Sequence, residues 1–267
     1  MNKNSPIGIF DSGVGGLTIL KEVHKLMPEE DLIYFGDSAH IPYGTKSKEA
    51  IIRYSLDIAH FLESHKVKLI IIACNTASAL ALPTLEKKIK TKVLGVIQPA
   101  SKKANEITKN GKIALIATQA TIKSNSYKKT LLKINKQLKV SQFACPLFVP
   151  LIEDNTLLEE ILPILLEKHL TQIKQSGVDT LILGCTHYPL IKKQIAEFLG
   201  DKIALIDSAQ NTALIAKNYL QKKDLLKEKQ GNKKSKIEVF TSEGPKHFEE
   251  LAKKILKQKN IKARLVK

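Results

Sequence analysis

The chain has 267 residues, 43% of them hydrophobic, which supports a packed core and excludes a disordered chain. Its net charge of +17 comes almost wholly from lysine, with Arg53 and Arg264 the only arginines, so it lacks the guanidinium clusters of a specific nucleic-acid reader. The longest apolar run, Leu69–Cys74, is too short to span a bilayer, and the first residues lack a signal-peptide pattern, so the expectation is a cytoplasmic enzyme with no membrane partner and no specific nucleic-acid partner.

In chain order, a strand is expected at Ile7–Asp11, then a Gly-rich turn, then a strand at Leu32–Asp37. Ser47 can cap a helix that places Ile51, Tyr54, Ile58, Phe61 and Leu62 on one face. Strands follow at Leu69–Cys74 and Val93–Ile97, and the polar, lysine-bearing stretch Gln98–Gly111 reads as a linker. Further strands are expected at Ile113–Thr118 and Val140–Cys145. Thr156 and Glu159 have capping-box spacing, and Pro163 predicts a kink or break in the helix that follows. Gly177 and Gly200 read as helix stops around a strand at Thr180–Cys185. Strands at Ile203–Asp207 and Ile237–Thr241 come next, and Pro245 suits the first turn of a last helix. The densest lysine runs, Gln221–Lys236 and Lys253–Lys262, read as solvated surface.

Near-continuous apolar strands alternating with helices imply α/β layers with parallel sheets covered on both faces. The strands also repeat. Leu69-Ile-Ile-Ile-Ala-Cys74 aligns with Thr180-Leu-Ile-Leu-Gly-Cys185, and each is followed by small polar residues, Asn75-Thr76 and Thr186-His187, and then by a helix. In the same register the first strand matches the fifth, and the Asp37 strand matches the Cys145 strand. The expected fold is two similar α/β lobes, each a mainly parallel four- to five-stranded sheet flanked by helices, with an active site in the cleft between them. Residues 1–97 plus 209–267 form the lobe carrying Cys74, and residues 98–208 the lobe carrying Cys185.

Ligands of open parallel sheets bind beyond the carboxyl ends of strands, where Asp11-Ser12, Asp37-Ser38, Cys74-Asn75-Thr76, Thr118 and Cys185-Thr186-His187 are placed. Two thiols at matched positions suit inversion of a carbon centre, in which one group removes a proton and another delivers one to the opposite face. A thiol, with a reference pKa near ~8.5, needs little adjustment for that work. Asp11 and His187 are candidate tuners and relays. Cys145, followed by Pro146, reads as core. His24, His60 and His65 read as ordinary helix residues. Asp11-Ser-Gly-Val-Gly-Gly16 could grip a phosphate but lacks the spacing of known phosphate loops, and a close-approach turn with Ser12 as cap is the other reading. His40 is ambiguous, and the Pro42-Tyr43-Gly44 turn either offers its amides to a carboxylate or is merely a turn. No cysteine or histidine spacing suits a metal. A two-lobed amino-acid-binding protein is a rival that leaves the paired thiols unexplained.

At these residues the chain resembles the glutamate racemase family. The resemblance lies in Ile9-Phe-Asp-Ser-Gly-Val-Gly-Gly-Leu17, Phe35-Gly-Asp37, Pro42-Tyr-Gly44, Ala73-Cys-Asn-Thr-Ala77, Pro150-Leu-Ile-Glu153 and Gly184-Cys-Thr-His-Tyr-Pro189. It implies interconversion of L- and D-glutamate without pyridoxal phosphate, metal or other cofactor, supplying D-glutamate for the bacterial cell wall. It implies that Cys74 deprotonates D-glutamate and Cys185 L-glutamate, supported by Asp11, Glu153 and His187. It also implies substrate contacts from Asp11, Ser12, Tyr43, Gly44, Asn75, Thr76, Thr186 and His187, with Asp37, Thr118 and Thr121 as further candidates. A homodimer is the expected assembly. Ala117 departs from the pattern, standing where family members often carry glycine. An aspartate or hydantoin racemase on the same fold is the nearest rival.

Overall fold

The computed structural model describes residues 2–154, 156–229, 235–257 and 261–266. The lysine-rich runs fall partly on residues 230–234 and 258–260, outside the described residues. Ten strands are present among the described residues: β1 (Ile7–Asp11), β2 (Leu32–Gly36), β3 (Leu69–Ile72), β4 (Val93–Gly95), β5 (Lys112–Ala117), β6 (Lys139–Ala144), β7 (Thr180–Gly184), β8 (Ala204–Ile206), β9 (Ile237–Thr241) and β10 (Ala263–Leu265). Most end one or two residues before the sequence-derived limits, so the polar residues stand just beyond the strands.

The chain divides into two compact units, Met1–Val96 with Ala209–Lys267, and Ile97–Ser208. The first unit holds a six-stranded sheet in the order β10-β9-β2-β1-β3-β4, and the second a four-stranded sheet in the order β6-β5-β7-β8. Every pairing is parallel. In both sheets the four leading strands are arranged as second, first, third, fourth. The fold is therefore α/β with two parallel sheets flanked by helices. The first sheet is wider than expected by β10, a three-residue edge strand.

Alternation along the strands divides the first unit's core. Ile7, Ile9, Tyr34, Leu69, Ile71 and Val239 join one apolar cluster, while Phe10, Phe35, Ile70, Ile72 and Phe240 join another. Period-two side chains point to opposite faces, so this sheet is buried on both. Each fully buried aliphatic side chain contributes about 1.5–3 kcal/mol. In the second unit, Ala114, Ile116, Leu181 and Leu183 anchor a cluster with Phe148, Leu166, Leu170 and Tyr188.

Ser47 caps the helix Lys48–Ser64, accepting the Ala50 N–H at 3.2 Å, and Gly177 and Gly200 follow their helices with positive φ. The last helix, Pro245–Leu256, begins on its proline. Four expectations are corrected. Gln98–Gly111 is mostly helix, Ile97–Ile107, because its polar residues lie on one face and Ile97, Ala100 and Ala104 are buried on the other. Thr156 caps nothing; its hydroxyl donates to Asp154 at 2.8 Å, and Leu157 holds the cap position. The helix Leu158–Gln175 is not broken at Pro163, which is exposed; as the sixth helical residue the proline forfeits one backbone hydrogen bond without ending the helix. Ser12 does not cap the helix Leu17–Leu26, whose cap is Gly16.

The return of the chain to the first unit is fastened by a buried ion pair. Lys68 Nζ lies 2.5 Å from Glu30 Oε2, both side chains almost wholly inaccessible, and donates to the Lys3 and Leu225 carbonyls. Glu30 in turn accepts the Lys227 N–H at 2.8 Å. Among the described residues, no helix is long and apolar enough to cross a membrane.

Candidate active site

In the first unit, β1 delivers Asp11 to its carboxyl end with no exposed surface. The Asp11 carboxylate accepts the Gly13 and Gly16 N–H groups at 3.2 and 3.0 Å. These amides are spent on the carboxylate, which disfavours the phosphate-loop reading. A Cβ on Gly16 would stand 2.5 Å from Asp11 Cβ and 2.7 Å from Tyr34 Oη, so only glycine allows the loop to close here. Tyr34 Oη donates to the Gly13 carbonyl at 2.6 Å. Burial, then the nearby Asp11 and Cys74, raise the Tyr34 phenol well above its ordinary pKa, keeping it a neutral donor. Sequence reasoning missed Tyr34 because it reads as one more apolar strand residue.

Cys74 follows β3 and caps the short helix Asn75–Leu80, its Sγ accepting the Ala77 N–H at 3.5 Å. The thiol also reaches Ser12 Oγ at 3.8 Å. Cys74, Asn75 and Thr76 are all buried. Asp37, just beyond β2, accepts from Tyr43 Oη at 2.6 Å and lies 2.9–3.0 Å from His40 Nδ1. Gly44 follows in the same 3-10 turn, Tyr43–Thr45. Asp11, Ser12, Cys74 and the Asp37–Tyr43 turn thus follow neighbouring strands of one sheet.

In the second unit, Cys185 follows β7 but opens no α-helix, which corrects the sequence reading. The chain turns through Thr186 and His187 into a 3-10 segment, Tyr188–Ile191, before the helix Lys192–Leu199. Cys185 therefore relies on a side-chain partner, His187 Nδ1 at 3.7 Å. His187 Nε2–H donates to Glu153 Oε1 at 2.8 Å. With Nε2 so occupied, Nδ1 accepts from a thiol or, protonated, donates to a thiolate. Burial opposes charge on His187, but the hydrogen bonds to Cys185 and Glu153 outweigh it and raise the imidazole well above its ordinary pKa. Thr118 caps the helix Gln119–Ser124, and its hydroxyl lies 3.0 Å from that of Thr121. Ala117 pairs in register with Gly184 and is wholly buried, so its methyl is accommodated in the sheet.

Cys145 lies in the second unit's core, with no exposed surface. Burial, with Cys185 adding to it, pushes its thiol up to about 12. Cys145→Ala is expected to leave turnover within about twofold and to cost about 1 kcal/mol, read as a small drop in thermal midpoint. Loss of activity in a folded Cys145→Ala protein would displace the site assigned to Cys74 and Cys185. None of the three cysteines forms a disulfide. Among the described residues, no cluster of three or more His, Cys, Asp or Glu is disposed to hold a metal ion. A groove of about 820 Å³ lies between the helices Leu158–Gln175 and Lys192–Leu199, and none of the strand-end residues lines it.

The Asp/Glu/Hydantoin racemase family model matches residues 17–216. The chain belongs to that family. A glutamate racemase of Geobacter metallireducens is 47% identical to this racemase over 91% of its chain and 89% of the relative. The crystal structure of glutamate racemase isoform RacE1 from Bacillus anthracis superposes with a TM-score of 0.95 at 36% identity, covering 100% of this chain and 98% of the other. That of the Francisella tularensis glutamate racemase in complex with D-glutamate gives 0.91 at 35% identity, covering 99% and 98%. The protein is thus an amino-acid racemase, an isomerase, and its similarity is to the glutamate racemases.

Proposed function

We propose that this racemase interconverts L- and D-glutamate by two-base proton transfer, with Cys74 and Cys185 as the acid/base pair. The observation that carries the reading is the pair of thiols after β3 and β7, matched strands of two sheets with one strand order. From D-glutamate, the Cys74 thiolate takes the α-proton while the Cys185 thiol gives its proton to the opposite face. From L-glutamate the roles reverse. After either turnover one proton has moved onto one sulfur and another has left the other, so the thiols exchange protons with water before the next cycle in the same direction.

The surroundings of each sulfur support this work differently. Cys74 has the Ala77 amide and Ser12 beside it, with Asp11 holding the adjoining loop. Cys185 has His187, a group able to carry a positive charge, oriented by Glu153. Ser12, Tyr43, Gly44, Asn75, Thr76, Thr118, Thr121 and Thr186 supply the polar contacts to the substrate's ammonium and carboxylates. The product D-glutamate serves peptidoglycan synthesis in the cytoplasm, and the working assembly is a homodimer.

Thiol-to-carbon proton transfer needs no electron sink beyond the substrate's own carboxylate. Racemisation of L-glutamate, followed by optical rotation, is expected to persist after exhaustive dialysis against a chelator, with no absorbance from pyridoxal phosphate. L-Aspartate under the same conditions is expected to turn over far more slowly. Activity restored only by added pyridoxal phosphate or metal would overturn the mechanism, and preference for aspartate would overturn the substrate.

A further inference from the structure

The turn bearing Tyr43 and Gly44 is fastened by residues about two hundred positions later in the chain. β2 pairs with β9 so that Gly36 stands opposite Thr241, which brings Ser242 beside Asp37. Ser242 Oγ–H donates to Asp37 Oδ1 at 2.7 Å, and Ser242 Oγ in turn accepts the Ala39 N–H at 2.9 Å. Thr241 spends its own proton on the Glu243 carbonyl at 2.9 Å, so the Ser38 hydroxyl donates to Thr241 Oγ1 at 2.8 Å. Phe248, from the last helix, packs so closely on Gly36 that a Cβ there would collide with its ring.

We infer that Ser242 is a positioning residue for the Tyr43–Gly44 turn, so that the segment after β9 shapes the substrate pocket from outside the stretch matched by the family model. The inference rests on the proposed reading that this turn contacts glutamate. Asp37 is the hub. The residue is 3% exposed, and its carboxylate is served by Tyr43, His40 and Ser242. A carboxylate at that depth requires its donors. Removing the Ser242 hydroxyl takes one donor from Asp37 and the acceptor from Ala39 at once, loosening both ends of the Ser38–Tyr43 stretch. The stacking of His40 on Tyr54, at 3.8 Å between ring centroids, holds only one side of it. Ser242 acts through Asp37 and touches neither thiol, so its effect falls on substrate binding and not on proton transfer.

Ser242→Ala is expected to raise KM about tenfold for both L- and D-glutamate, with kcat changed by less than about threefold. Ser242→Thr keeps the hydroxyl and is expected to restore KM to within about threefold of wild type. Wild-type KM in Ser242→Ala overturns the inference, as does a fall in kcat at constant KM. Equal loss of activity and folded structure in both variants also overturns it, since the serine would then serve folding alone. If only Ser242→Ala fails to fold, Ser242→Cys takes its place as a weaker donor of similar size. Its KM is expected to rise by about threefold, and a wild-type value overturns the inference. A wild-type protein that does not racemise glutamate would instead remove the underlying functional reading.

Discussion

Cys74→Ser and Cys185→Ser should each abolish racemisation, lowering kcat by at least about 10³-fold while the protein stays folded. A hydroxyl does not ionise near neutral pH, whereas a thiol with a reference pKa of ~8.5 needs only a small favourable bias. The substitution removes one sulfur atom's chemistry and keeps the side chain's shape. Inversion requires both partners, so either loss stops it. A glutamate-like amino acid with a good leaving group on its β-carbon separates the two halves. Removal of its α-proton expels the leaving group with the Cα–Cβ double bond forming, and the enamine hydrolyses to a keto acid that can be assayed. Cys74→Ser retains Cys185 and should eliminate only from the L-configured substrate. Cys185→Ser retains Cys74 and should eliminate only from the D-configured one. In heavy water the wild-type product should carry deuterium at the α-carbon. Elimination from the same enantiomer by both variants, or retention of the substrate's proton throughout, would defeat the two-thiol mechanism.

His187→Asn should give the next largest loss, about 10²-fold in kcat, by removing the imidazole whose Nδ1 lies 3.7 Å from Cys185 Sγ. Glu153→Gln should cost less but change the pH profile. Glu153 is one of the two partners that raise the His187 pKa against burial. Without its charge, the imidazolium loses its proton at lower pH, so the alkaline limb of kcat/KM should move to lower pH. Because the enantiomers have equal free energy, kcat/KM is equal in the two directions and the shift must appear in both. Stability should follow the same sign. A histidine whose pKa is raised on folding stabilises the protein fully below its unfolded value near ~6.5, and the contribution disappears as pH rises through the raised value. Glu153→Gln should therefore narrow the stability advantage of mildly acidic over alkaline conditions. A pH profile that superposes on wild type would separate Glu153 and His187 from the chemistry of Cys185.

Much of this was legible in the residues because parallel strands covered on both faces have little choice of composition. Runs such as Leu69-Ile-Ile-Ile suit strands buried on both faces, and the internal repeat implied two similar halves with the strands in matching chain order. The errors arose where local pattern competed with packing. Gln98–Gly111 looked like a linker because its lysines face solvent, yet its alanines fill one side of a helix. Thr156 had the right spacing for a cap, but the helix began two residues later. Cys185 reads, by analogy with Cys74, as a strand end leading into a helix, and the repeat fails at that point. There a turn replaces the helix start and a histidine replaces the amide. Tyr34 and Ser242 carried no signal at all. Their roles depend on register between strands, which a single sequence does not state.

The first sheet is assembled from segments far apart in the described chain, with 205 positions separating Asp37 from its partner Ser242. Its β2–β9 seam cannot form until everything between has been made. The second unit, Ile97–Ser208, is continuous and can collapse on its own contacts while the first sheet still lacks two strands. On a chain emerging from the ribosome, the Cys185 environment is thus complete early. The Asp37–Tyr43 turn must wait for residues 237–242 to arrive. Long-range parallel pairing is slow to form, but a folded insertion shortens the effective loop that must close. The order of synthesis therefore delays the finished Asp37–Tyr43 turn until Ser242 has been made, so a chain halted before that residue would hold the surroundings of Cys185 without the completed turn.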